Sequence, residues 1–119
     1  MSDKEKIRKD IDLVAVALCA DYERRKRFID NRLGERRVRM EYAYINSKIF
    51  DAASEIVGQN EALIYIEEIG RRIGYAHSAL EYVSETTYKI NKAQIKENIL
   101  KKIYYIDSMR SYDGFISEN

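Results

Sequence analysis

No proline occurs anywhere in this 119-residue chain, and its five glycines stand only at positions 34, 58, 70, 74 and 114. Proline removes a backbone donor and clashes with the preceding helical turn, and glycine is the residue that most readily leaves a helix through left-handed backbone. Long stretches of this sequence therefore carry no helix breaker. Between the breaks, large apolar residues recur at intervals of three and four, the period of a helix with one buried face. The expected class is all-α, and an apolar content of 45% over this length suffices for one domain with one core.

The period marks out the helices. Ile7, Ile11, Val14, Leu18, Tyr22 and Ile29 form one seam, predicting a first helix over 3–29. A break at 31–34 follows. Val38, Tyr42, Ile45, Ile49, Ala52 and Ile56 then predict a second helix from about Glu35 to Gly58. Residues 1–57 thus read as an antiparallel helical hairpin, with heptad-like seams available for a core or for dimerisation; Met40, Tyr44 and Phe50 lie off the main stripe. Residues 60–107 read as a helix-turn-helix with an extended last helix, because Tyr88, Ile95, Ile99, Ile103 and Ile106 continue the apolar pattern. Residues 108–119 read as a flexible tail.

Residues 66–85, IEEIGRRIGYAHSALEYVSE, carry the helix-turn-helix expectation. Ile66, Ile69 and Ile73 share one face. Gly74 is placed to stop that helix in left-handed backbone. Ser78 and Glu81 then match the S-x-x-E capping box, in which the serine oxygen accepts from the third backbone N–H and the glutamate reaches back to the serine N–H. A second helix is expected from Ser78 to about residue 90, with Leu80, Val83 and Thr87 inward and Tyr82 outward.

Charge is segregated beneath a formal net of +1. Residues 22–40 hold eight bases against three acids, 51–87 seven acids against Arg71 and Arg72, and 88–105 five lysines against Glu97. Lysine and arginine supply most non-specific affinity for nucleic acid through phosphate contacts. Arg24, Arg25, Arg36 and Arg37 at the hairpin, Arg71 and Arg72 at the turn, and Lys89, Lys92 and Lys96 beyond it are the candidate phosphate contacts. His77, Ser78 and Tyr82 are the candidate contacts at the head of the second helix. Glu81 and Glu85 on that same head oppose a phosphate-lined groove unless one accepts from a cytosine amino group.

Residues 66–85 resemble the helix-turn-helix of sigma factors and of small phage-encoded late-gene regulators of the ArpU and RinA type. In such motifs a small residue sits midway in the first helix, a glycine opens the turn, and aliphatics follow six and nine residues later; here these are Gly70, Gly74, Leu80 and Val83. The run EEIGRRIGYAHSALE is also similar to the I-x-x-x-I-G-Y-S phrase of those motifs. The likeness spans about residues 60–100. It implies a transcriptional regulator acting on operator DNA or RNA polymerase. Separately, the lack of a signal or membrane-spanning run predicts the cytoplasm, the helical seams predict a homodimer or higher oligomer, and no cofactor is expected.

Catalytic chemistry is not suggested. His77, the sole histidine, has no acid or cysteine spaced to complete a nucleophile or zinc site, and no phosphate-binding glycine loop occurs. Glu67 and Glu68 are neighbours on a helix and point apart. Cys19 lies in an apolar stretch as a small core residue. The expectation is no enzyme, no metal, no signal peptide and no membrane span. Ten tyrosines suit interfaces, with Tyr44, Tyr82 and Tyr105 off the stripes. The alternative function is a helical interaction module or inhibitor that oligomerises or grips RNA polymerase or a defence complex; a tyrosine- and arginine-lined site for an anionic small ligand is a third.

Overall fold

The computed structural model describes residues 2–105, in which the backbone is helical or loop and no strand occurs. The expected all-α class holds. Five α-helices follow in order: α1 (Asp3–Ala20), α2 (Tyr22–Asp30), α3 (Arg36–Val57), α4 (Gln59–Gly70) and α5 (Glu85–Tyr104), with one 3₁₀ turn at Tyr75–His77. The expected tail, 108–119, lies outside the described residues.

The predicted first helix is two helices. The chain bends at Asp21 (φ −90°, ψ 0°), between α1 and α2. The cause is Arg25, which is buried rather than offered to solvent. Its Nε donates to Asn46 Oδ1 at 2.6 Å and its Nη2 donates to the Leu18 carbonyl in the last turn of α1. Asn46 Nδ2 donates in turn to the Tyr22 carbonyl at 3.0 Å. A cation at the negative end of a helix, bonded to its last-turn carbonyl and to a side-chain amide of α3, is a favourable latch. Arg25 is therefore removed from the candidate DNA contacts.

The inward stripe of α1 also differs from expectation. Ile11, Ala15 and Cys19 are buried, while Val14 and Leu13 face outward. Small residues are inward because α1 and α4 approach closely: a Cβ on Gly70 would lie 2.7 Å from the Ala20 nitrogen and 2.8 Å from its Cα. Burial pushes the Cys19 thiol up to about 12, which suits the core role expected of it.

α3 keeps its predicted stripe, with Ile49 and Ala52 fully buried and Ile45 and Ile56 packed against the core, and ends at Gly58 with φ +85°. It packs on α2, α4 and α5, while α1 covers α4 and α5. The core between them centres on Tyr65, Tyr88, Ile49, Ile66, Ile69, Ile95 and Ile99, each aliphatic contributing about 1.5–3 kcal/mol on burial. Tyr65 and Tyr88 stack at 5.6 Å, and Asn91 donates to the Tyr65 hydroxyl at 3.0 Å. At the far end of α5, Asn98 donates to the Ala52 carbonyl and Lys102 pairs with Glu55 at 2.6 Å.

The tight helix-turn-helix at 66–85 is not formed. α4 stops at Gly70, before Ile73, in a Schellman arrangement: Ile73 N–H donates to the Glu68 carbonyl at 2.9 Å and Arg72 N–H to the Ile69 carbonyl at 3.2 Å. The left-handed residue is Arg72 (φ +56°), whereas Gly74 is extended (φ −87°, ψ 172°). Residues 78–84 are not helical. α5 begins at Glu85, where the Ser84 hydroxyl accepts from the Thr87 N–H at 3.1 Å. Two S-x-x-polar caps competed, and the later one starts the helix. From there α5 runs to Tyr104, so the extended last helix is present.

Candidate nucleic-acid interface

Residues 71–84 form a long connection, which in a compact domain needs internal anchors to hold one shape. The principal anchor is Glu68, buried on the inner side of α4. Its Oε1 accepts from the Ser78 hydroxyl at 2.6 Å and the Tyr88 hydroxyl at 2.7 Å, and its Oε2 from the Ala79 N–H at 2.7 Å. Burial raises the Glu68 pKa, but the bonds from Ser78, Ala79 and Tyr88, with the charge of Lys92, outweigh it and leave it below the usual value. The same contact, with burial first, pushes the Tyr88 hydroxyl up to about 12.

Ser78 is thereby explained. Its oxygen accepts from Leu80 N–H two residues on, at 3.0 Å, and donates to Glu68, so it makes a turn instead of a helix cap. It is withdrawn from the candidate DNA contacts, because it is half-buried and committed to Glu68. A second clasp closes the loop on itself, the Tyr75 hydroxyl donating to the Val83 carbonyl at 2.8 Å. Leu80 and Val83 pack against the core, as their spacing predicted, whereas Thr87 is exposed. Between these anchors Tyr82 stands wholly in solvent, with left-handed backbone at φ +64°. A bulky residue held there is strained, and such strain persists only where the surroundings impose it.

α5 emerges from this platform with one face anchored through Tyr88, Ile95 and Ile99. Its opposite face, Thr86, Ile90, Ala93, Gln94 and Glu97, is exposed. Lys89, Lys92 and Lys96 fall at i, i+3 and i+7 along one flank. Lys89 pairs with Glu85 at 3.1 Å, and Lys92 donates to the Ile73 carbonyl at 2.8 Å while standing 5.0 Å from the Tyr88 ring centre. Moving the helix start from Ser78 to Glu85 changes its electrostatics. Glu81 is now in the loop, and residues 71–105 hold seven lysines and arginines against three glutamates.

The remaining candidates are spread over the molecule. Arg24 pairs with Asp21 at 2.7 Å, and Arg71 with Glu67 at 3.2 Å, both on the surface. Arg36 and Arg37 are exposed at the start of α3, and His77 is exposed in the 3₁₀ turn. The structure brings Arg71, Arg72, His77, Tyr82, Lys89 and Lys92 onto the 71–84 loop and the adjoining head of α5. The arginines of α2 and α3 belong to a separate hairpin that is not tied to that head by any of these bonds. Thr86, Ile90, Ala93 and Gln94 were not singled out from the sequence; the S-x-x-T at 84–87 ahead of the Tyr88, Ile95, Ile99 stripe was the signal for them.

Among the described residues no group of three or more histidines, cysteines or acids is placed to hold a metal ion, and no helix is long and apolar enough to cross a membrane. Comparison with protein-family models, with curated proteins and with solved structures finds no match to this chain.

Proposed function

We propose that this chain is a DNA-binding transcriptional regulator, of the phage-related kind its sequence resembles, that presents α5 rather than a helix beginning at Ser78. The observation that carries this is the uncovered outer face of α5. It is capped and anchored on one side, and offers Thr86, Ile90, Ala93 and Gln94 on the other beside a lysine flank. Side chains of this kind suit base edges in a major groove: Gln pairs with adenine, small residues and Ile pack on a thymine methyl, and lysines meet phosphate. Tyr82, at the head of the helix, adds an aromatic surface. The chain acts in the cytoplasm as a homodimer, which would double the site.

Fluorescence anisotropy with duplex DNA at about 50 and 200 mM salt tests this, since binding through several phosphates falls steeply across that range. Lys89→Ala is expected to weaken binding to all sequences and to lower the salt slope by about 1. Tyr82→Ala is expected to weaken binding without changing the slope. Salt-insensitive or absent binding would overturn the assignment.

One observation favours a non-enzymatic interaction module instead. A nearly apolar groove on α3, lined by Arg37, Met40, Glu41, Tyr44 and Ile45, is open to solvent. Light scattering that finds a stable oligomer or a complex with RNA polymerase, together with no DNA affinity, would select that function.

A further inference from the structure

Beside the head of α5 lies a cleft of about 250 Å³, walled by α1, the 72–74 segment and α5. Arg72, Lys92 and Lys96 line it, with Asp12 as the sole acid and Leu13, Val16, Ile69 and Ile73 as its apolar wall. Three cations lie here against the Asp12 carboxylate, and the buried Glu68 also acts on Lys92, which leaves one positive charge uncompensated.

Each cation is held differently. Lys96 pairs with Asp12 at 2.7 Å. Lys92 spends one of its three donors on the Ile73 carbonyl, and its pKa is lowered by burial first and then by Lys96, against which Glu68 and Asp12 act in the other direction; an anion in the cleft would offset the Lys96 repulsion further. The Arg72 guanidinium has no partner among the described residues, although its backbone is fixed by the Schellman bonds. Arginine here also occupies left-handed backbone where glycine is favoured, so local conformation does not explain its presence. An unpaired guanidinium on a fixed backbone, lining the same cleft as two lysines, offers the donors an oxyanion receptor needs.

We propose that this cleft binds a phosphate oxyanion, and that in the DNA complex the occupant is a backbone phosphate flanking the groove that α5 enters. The second part rests on the DNA-binding function proposed above; the first does not. Asp12 is the internal competitor. It holds Lys96 until a phosphate takes its place.

The test uses the full chain, labelled with nitrogen-15, titrated with inorganic phosphate at constant ionic strength. Amide shifts confined to Leu13, Ile73, Gly74 and Lys92 are expected. Arg72→Gly is the informative variant, because it keeps the left-handed backbone and removes only the guanidinium. It is expected to abolish the phosphate shifts, to lower the DNA salt slope by about 1, and to leave the melting temperature unchanged or raised. Asp12→Asn is expected to tighten phosphate binding. If phosphate produces the shifts but wild-type protein binds no duplex, the cleft stands and its phosphate belongs to another molecule. If duplex is bound with the same slope by wild type and Arg72→Gly, and phosphate moves no amide, the cleft is not a phosphate site while the function survives. Absence of both duplex binding and phosphate shifts removes both.

Discussion

The 31–35 turn and the 71–84 loop begin alike and end differently. Each leaves its helix through a Schellman arrangement with an arginine in left-handed backbone, Arg32 (φ +52°) in one and Arg72 (φ +56°) in the other. In the short turn every anchor is local. Asn31 Nδ2 donates to the Arg27 carbonyl at 2.8 Å, and Arg39 Nη1 reaches the Leu33 and Gly34 carbonyls. In the long loop the anchor is Glu68, which binds Ser78, Ala79 and Tyr88 ten, eleven and twenty residues away. Local bonds make a turn that only reverses the chain. A buried carboxylate makes a platform that aims a helix.

Substitutions that separate these two designs can be ranked. Glu68→Ala should have the largest effect, on the order of 3 kcal/mol, since it removes the charged acceptor of the Ser78 hydroxyl and the Ala79 N–H and leaves the Tyr88 hydroxyl only the Ile73 carbonyl. Denaturant unfolding measures the loss, and hydrogen exchange should show 71–84 opening while 31–35 stays protected. Uniform loss of protection would mean the loop is no separate unit. Gly70→Ala comes next. A methyl group against the Ala20 backbone forces α1 and α4 apart, at about 1–3 kcal/mol by the same assay. Arg39→Ala, acting only on the short turn and from a half-buried position, should cost about 1 kcal/mol and leave the loop's exchange rates alone.

Acid should act on the loop, as well as on the Glu55 contacts at the far end of α5. The folded pKa of Glu68 is depressed, so its contribution is complete above the ordinary carboxylate value of 4.5 and is lost as pH falls through the lower folded value. A stability profile from pH 6 down to about 2 should therefore bend downward below about 4.5 in the wild type and less in Glu68→Gln. Equal bending in both would assign the acid sensitivity to other carboxylates. Smallest of all are Arg32→Gly and Arg72→Gly, in which relief of left-handed strain is partly offset by the lost charge at a helix C-terminus. A net gain under about 1 kcal/mol is expected for each, seen as a small rise in melting temperature.

The same division between local and distant anchors governs what was legible in the sequence. The all-α class, the break at 31–34, the α3 stripe and the stop at Gly58 follow from spacing and from glycine and proline usage, which act within a few residues; Tyr82 is exposed as expected, but on left-handed loop backbone and not on the helix that placed it outward. The bend at Asp21 was hidden because its cause is a side-chain pair, Arg25 with Asn46, spanning twenty-one residues. The start of α5 was misplaced because Ser78-x-x-Glu81 satisfies a local rule that a distant carboxylate overrides. Glu67 and Glu68 were correctly expected to point apart, but spacing alone did not reveal that the inward one would organise the loop. Of the candidate contacts, Arg24, Arg36, Arg37, Arg71, Arg72, His77, Tyr82 and Lys89 are exposed and Lys92 is half-buried, whereas Arg25 and Ser78 are committed to partners inside the fold.

Selection of duplexes from a randomised pool, by wild type and by a Thr86→Ala, Gln94→Ala variant, addresses most directly whether the outer face of α5 reads sequence. The wild type should enrich one short site, and the variant should lose that preference while retaining affinity for random duplex, each lost base contact being worth about 1–3 kcal/mol of discrimination. No enrichment by the wild type, or the same site enriched by both proteins, would contradict the assignment of that face.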